Sequence, residues 1–444
     1  MTRRIAFISE HASPLGILGG VDSGGQNVYV GKLARHLATI GYSVDIFTRR
    51  DSEDLPEVVE WLDGVRIIHI PAGPPAFVRK EELLQFMPEF TAATLRFCKG
   101  EWPPYDLFHA NFWMSGMAAA SIKQATSIPF VITFHALGRV RRLYQGEADE
   151  FPDVRFAVEE QVIAEADRIL AECPQDQADL INLYGADPEC ITIVPCGYDP
   201  EELWPVDKQA ARETLGLPAD QSIMLQLGRI VPRKGIDNVI RGFARLVQHH
   251  NIAALLLIVG GDSDEPDPRI TPEIGRLEGI AAEEKVADRV IFTGRRQRNV
   301  LRYYYSAADV FVTTPWYEPF GITPIEAMAC GTPVIGASVG GIKYTVLDGQ
   351  TGYLVPPNDP QALAERLAHL CTQPRLRSTL GRRAIKRART FTWEKVAAAV
   401  ADLYEGVLAA YRLEASARAE PLALLEQEAG RPSPPGKSRR RTAW

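Results

Sequence analysis

The stretch IMLQLGRIVPRKGIDNVIRGF, residues 223–243, decides the fold. Its apolar start reads as a strand. A loop bearing Arg229 and Lys234 follows, and then a helix. The same order has already occurred at the head of the chain. There IAFI (5–8) reads as a strand and NVYVGKLARHLATIG (27–41) as a helix with Val30, Leu33, Leu37 and Ile40 turned inward. Residues 223–243 are therefore a restart, the first strand and helix of a second domain. A chain of 444 residues is also too long for one ordinary core.

Working outward, VDIFT, VRIIHI, DLFHA, PFVITFHA, RILAEC and ITIVPC continue the first series, and AALLLIVGG, VIFTG, DVFVTT and PVIGA the second. Amphipathic stretches separate them, which is the rhythm of a parallel sheet covered by helices on both faces. The proline- and charge-rich segment 197–221 suits a linker with a short helix. The expected architecture is α/β: two doubly wound, Rossmann-like domains, 1–200 and 201–391, facing a central cleft. A long helix is expected over 392–412, with a disordered, proline-rich basic tail over 413–444. Ligands of such sheets bind at the carboxyl ends of the strands, so residues just after each apolar run carry the functional expectation.

Composition narrows the class. The net charge is −7, which argues against a nucleic-acid partner. The six cysteines are scattered without a C-x-x-C pair, which reads as reduced thiols rather than a disulfide frame or zinc site. The N-terminal apolar run is too short for a signal peptide, and AALLLIVGG is too short for a membrane span. The expectation is a cytoplasmic protein, with peripheral contact at the inner membrane face left open, for instance through the basic tail.

The motif EPFGITPIEAMACGTPV, residues 318–334, puts Glu318 and Glu326 on either side of a glycine-containing turn. Thr323, Pro324 and Glu326 fit a capping box at a helix start, which needs no ligand. That leaves Glu318 and the bare backbone of Gly321 unexplained. Amides at a helix start receive anions, and a carboxylate hydrogen-bonds a polyol. Together they suit a molecule carrying both phosphate and hydroxyls. Arg229 and Lys234, after the first strand of the second domain, are placed to grip phosphate. In the first domain, LGGVDSGGQNVYV (18–30) is a glycine-rich loop able to approach a ligand closely, but it lacks G-x-G-x-x-G. His135 and His109 lie at strand ends, and GRVRR (138–142) adds Arg139, Arg141 and Arg142. Asp262 and Asp264 form a D-x-D, but the surrounding acidic and proline residues favour a loop, so no metal or other cofactor is expected.

These motifs, with EADRIL, GRIVPRKG, SAADVFVTTPWYEPFGITPIEAMACGTPVI and GGIKYTVLDGQTGYLVPPNDP, make the chain resemble the retaining nucleotide-sugar glycosyltransferases of family four, with the GT-B fold. It is similar to sucrose-phosphate synthases and to the inositol-phosphate N-acetylglucosaminyltransferases of mycothiol synthesis. The resemblance covers about residues 5–412. It implies a hexosyl transfer from a UDP-, GDP- or ADP-sugar to a small hydroxyl acceptor. Glu326 would bind the ribose hydroxyls and Glu318 the donor sugar, with Gly321, Ile322 and Thr323 offering amides. Arg229 and Lys234 would hold the diphosphate, Arg296 would lie near the base, and His135 would contact the donor sugar. Gly24 and Gly25 would approach the reacting centre, and the last helix would cross back to complete the first domain.

On the acceptor side the resemblance points to Gln26, Lys80, Arg139 and Arg155. However, Phe112 and Ala136 stand where the inositol-phosphate enzymes carry a tyrosine and a threonine, and HALG stands where the sucrose-phosphate type has HSLG. A phosphorylated sugar or polyol is one expectation; a lipid-linked or polysaccharide acceptor at the membrane surface is another. A non-catalytic nucleotide-sugar sensor and a dinucleotide oxidoreductase are readings from other classes.

Overall fold

Every apolar run named above becomes a strand of one of two sheets in the computed structural model. It describes residues 2–16, 24–250 and 252–429, with the side chains of the last helix followed to Leu413. The first sheet comprises β1 Arg4–Ile8, β2 Ser43–Arg49, β3 Val58–Leu62, β4 Val65–Ile70, β5 Leu107–Asn111, β6 Phe130–Thr133, β7 Arg168–Ala171 and β8 Ile191–Ile193. Its order is β3-β4-β2-β1-β5-β6-β7-β8. The second comprises β9 Ser222–Leu227, β10 Ala254–Val259, β11 Val290–Gly294, β12 Val310–Thr313, β13 Val334–Ala337 and β14 Gly352–Val355, in the order β11-β10-β9-β12-β13-β14. β1, β5, β6 and β12 are buried along their whole length, as strands covered on both faces must be, and this is why they read as unbroken apolar runs.

Pairing is parallel except between β3 and β4, which form an antiparallel hairpin at the edge. Asp63-Gly64 makes its turn, with Gly64 at φ +75°. β3 is only half-buried, so it lacks the apolar signature that marked its neighbours.

The connection between the sheets carries the short helix Lys208–Leu215. Asp207 caps it through the amide of Ala210 at 3.0 Å, and Gly216 ends it. The last helix, Trp393–Ala429, packs back on the first helix of the chain, Gly25–Thr39. Trp393 is buried edge-on to Tyr29, and Tyr404 Oη lies 2.6 Å from Nδ1 of buried His109. His109, expected at a strand end, instead lies in the middle of β5 and serves packing in the core. The helix does not stop at 412 as expected. EASARAEPLALLEQEA is rich in alanine, leucine and glutamate, strong helix formers, and continues it to Ala429. Residues 430–444, with the basic cluster, lie outside the described residues. Among the described residues no helix is long and apolar enough to cross a membrane.

Each sheet reverses its winding once, between β1 and β5 and between β9 and β12. Crevices at the carboxyl ends of strands form at such points. The segments leaving β1, β5, β9 and β12 contain Gly24, Phe112, Arg229 and Glu318, and all four line one cleft.

Candidate active site

The cleft has a volume of about 630 Å³ and takes walls from both halves of the chain. Its second-domain floor is built around the helix Ile322–Ala329. Gly321 caps that helix with φ +91°, a conformation a side chain would strain, and no side chain caps its first amides. This corrects the capping-box expectation. The helix begins before Thr323, so Pro324 falls in the first turn, where amides have no helical partner and its missing N–H costs nothing. Glu326 sits further in. Its carboxylate accepts from Tyr305 Oη at 2.7 Å and from Arg298 Nη2 at 3.0 Å.

Glu318 accepts a short hydrogen bond from Lys234 Nζ. Burial, with Arg233 and Arg229 alongside, brings the Lys234 ammonium down to about 8 against the upward pull of Glu318. Burial alone would raise Glu318, but Lys234, Arg233 and Arg229 outweigh it and hold the carboxyl below its usual value. The loop that carries Lys234 is fixed to the loop that carries Glu318. The Trp316 amide donates to Arg233 O at 2.9 Å, and Thr314 Oγ1 donates to Gly235 O at 3.0 Å. Gly235 stands at φ +62°, and a Cβ there would lie 2.0 Å from Thr314 O. Gly235→Ala is expected to cost on the order of 3 kcal/mol, from backbone strain and overpacking together. Thermal melting checks this, and a melt matching the wild type would contradict it.

The first domain supplies the opposite wall. A Cβ on Gly24 would come within 3.1 Å of Arg229 Nε, and one on Gly25 within 3.7 Å of Ile322 Cδ1. The glycine-rich loop therefore ends against the second domain across the cleft, while residues 17–23 lie outside the described residues. His135 stands at φ +58° just after β6, with Nδ1 3.0 Å from Glu172 Oε1 and Nε2 3.0 Å from Asn111 Oδ1. Gln26 Nε2 donates to Asn111 O at 3.1 Å. Arg296 reaches the cleft and donates through Nε to Tyr304 Oη at 3.0 Å.

Two acceptor-side expectations fail. Arg155 is fully buried under the rings of Phe112, Trp113 and Phe151, donating to Glu159 at 2.7 Å and to Ala136 O at 2.5 Å. Arg139 turns to the outer surface, over Tyr184 and onto Glu160 and Leu183 O. Gln26 and Lys80 do line the cleft, joined by Arg79 and Arg141. Lys80 and Arg141 approach Glu81 at 3.6 and 3.8 Å. In the sequence Arg141 stands only within a general basic stretch, and Arg79, Arg233 and Arg298 are not singled out. The Arg295-Arg296-Gln297-Arg298 run after β11 was the available signal for the last.

The two aspartates of the D-x-D are held by protein groups. Asp262 accepts from Thr271 Oγ1 at 3.2 Å, and Asp264 pairs with Arg295 at 3.0 Å.

Two doubly wound sheets facing one cleft lined by carboxylates and cations are the GT-B architecture. Comparison with known proteins gives the family. The model "Glycosyl transferases group 1" matches residues 207–387, and "Glycosyltransferase Family 4" matches 23–202. The D-inositol 3-phosphate glycosyltransferase 2 of Catenulispora acidiphila is 38% identical, over 91% of this chain and 95% of its own. That of Streptomyces bingchenggensis is also 38% identical, over 92% of this chain and 90% of its own. The sucrose-phosphate synthase of Thermosynechococcus elongatus superposes with a TM-score of 0.85 at 36% identity, covering 92% of this chain and 100% of that one. The chain belongs to the family four, group 1 glycosyltransferases, and is an enzyme of that class.

Proposed function

We propose that the cleft binds a nucleoside diphosphate sugar and transfers its hexosyl group, with retention, to a hydroxyl of a small phosphorylated sugar or polyol. The observation that carries this is the floor of the second domain. Glu318 and Glu326 flank a helix start that no side chain caps, with Lys234, Arg233 and Arg229 gathered at one end. Glu326 faces the ribose hydroxyls and Glu318 those of the donor sugar. The amides of Gly321, Ile322 and Thr323 and the side chains of Arg229 and Lys234 take the diphosphate, and Arg296 lies beside the base. His135 and the Gly24–Gly25 backbone reach the donor sugar from the first domain.

Departure of the diphosphate is the hard step. The bond from the anomeric carbon to the phosphate oxygen breaks, the acceptor oxygen bonds to the same face of that carbon, and the acceptor proton passes to the leaving phosphate. Fixed cations and amides stabilise the charge that develops, and closure of the cleft excludes water. This chemistry asks for no metal. On the acceptor side the relatives' names support a phosphorylated polyol. With Arg155 buried, Lys80, Arg79 and Arg141 are the groups placed to meet its phosphate, beside Gln26. A cytoplasmic location suits a nucleotide-sugar donor.

A donor-by-acceptor screen with mass detection of the product tests this reading. UDP-, GDP- and ADP-hexoses are paired with inositol phosphate, hexose phosphates and the unphosphorylated forms. One donor is expected to give a product one hexosyl unit heavier with a phosphorylated acceptor, and EDTA is expected to leave the rate intact. Donor binding without any product would favour a sensor, and loss of activity in EDTA would reinstate Asp262 and Asp264.

The lysine also sets a pH dependence. A bound diphosphate favours charged Lys234 and raises its pKa, so above about pH 8 the free protein must take up a proton to bind. Affinity for the nucleoside diphosphate should then fall by up to about tenfold per pH unit. Titration calorimetry from pH 7 to roughly 9.5 reads this directly. A flat profile would mean that the charge of Lys234 is not used.

A further inference from the structure

We propose that Arg298 is a positioning residue, which fixes the Glu326 carboxylate for a vicinal diol and ties it to the first helix of the N-terminal domain. The proposal rests on the reading of the cleft given above. Five side chains of alternating charge form one chain. From Glu326, Arg298 Nη2 lies at 3.0 Å, and Arg298 Nε reaches Glu202 Oε2 at 3.1 Å. The other oxygen of Glu202 takes a short contact from Lys32 Nζ, which also holds Asp199 at 2.9 Å.

The chain crosses the molecule. Arg298 and Glu326 belong to helices of the second domain, Asp199 and Glu202 to the connection between the sheets, and Lys32 to the helix Gly25–Thr39. That helix begins at the Gly24–Gly25 backbone, which lies against Arg229 and Ile322. This helix thus meets the diphosphate end of the floor with its first residues and is linked to Arg298, at the ribose end, through Lys32 and Glu202. Glu326 and Asp199, the two ends of the chain, are almost wholly buried, so solvent screens them little. Burial would raise Glu202, but Arg298 and Lys32 hold it below the usual carboxylate range.

The geometry has a chemical consequence. Each oxygen of Glu326 already accepts one hydrogen bond, and each keeps a second lone-pair site. Two hydroxyls on adjacent carbons need both sites at fixed spacing. A planar guanidinium held at two of its nitrogens cannot turn, and so keeps the carboxylate in one orientation. With Arg298 gone, Tyr305 still holds one oxygen of Glu326, and the other loses its charged partner. A lysine at 298 restores charge but not the fork.

The test is calorimetric binding of UDP, GDP and ADP and of their 2′,3′-dideoxy counterparts to the full chain. Wild type is compared with Arg298→Met, Arg298→Lys and Lys32→Met. Wild type should prefer one ribose form over its dideoxy form by at least about tenfold, the size of a lost charge-assisted hydrogen bond. Arg298→Met should bring the two within about threefold, with Arg298→Lys in between. Lys32→Met should lower the preference severalfold although it lies outside the cleft. An unchanged preference in Arg298→Met overturns the proposal, as does an equal loss of both affinities, which marks a merely structural role. Should Arg298→Met not fold, Lys32→Met decides by the same ratio. If wild type binds none of the three nucleotides, the reading of the cleft itself fails, an outcome distinct from a lost preference.

Discussion

Lys234→Ala is expected to lower turnover about 10²–10³-fold, the usual effect of losing one preorganised donor to a developing oxyanion. The melting temperature should move by only a few degrees. Lys234 is charged at neutral pH in spite of its surroundings: burial, Arg233 and Arg229 all work against the ammonium, and Glu318 only partly offsets them. A cation held so far below its ordinary titration point contributes little to folding. After truncation, Arg229 and Arg233 remain to stabilise the Glu318 carboxylate. The lost function is therefore charge at the leaving phosphate. Steady-state kinetics and thermal melting on the same preparation separate the two effects. Turnover that falls only in step with folded fraction would make the lysine structural.

Glu318→Gln should be nearly as damaging, about 10²-fold or more in kcat/KM, for two reasons that a pH profile can separate. The amide keeps the shape of the carboxylate but accepts weaker hydrogen bonds from sugar hydroxyls. It also removes the neighbouring charge that raises Lys234, leaving that lysine buried beside Arg233 and Arg229. Lys234 should then lose its proton below pH 8, and nucleotide affinity should begin to fall at a lower pH than in wild type. A variant with lowered activity but the wild-type pH midpoint would show that Glu318 acts on the sugar without poising the lysine.

Much of the fold was legible because buried parallel strands leave unbroken apolar runs, and their order fixes where the crevices open. Half-buried β3 left no such run. Gly24, Arg229, Lys234 and Glu318 could be singled out for the same reason: each follows a strand at or near a switch point. What was not legible depends on where side chains turn. Arg155 sits in a stretch suggestive of a ligand, but Glu159 one helical turn on and three aromatic rings draw it into the core. The capping-box pattern at Thr323 was a sound local rule, overridden because Gly321 starts the helix earlier with a left-handed backbone. The chain from Glu326 to Asp199 joins segments far apart in sequence, and no spacing rule anticipates it. The helix beyond residue 412 was hidden by proximity to a proline-rich end, which dominated the reading of the whole segment.

The most direct test of the central claim is a crystal structure of the protein with the nucleoside diphosphate that the screen selects. Ribose hydroxyls are expected on Glu326, and the diphosphate between Lys234, Arg229 and the first amides of the helix Ile322–Ala329. A nucleotide bound elsewhere, or lying in the cleft with its phosphates turned away from Lys234, would contradict it.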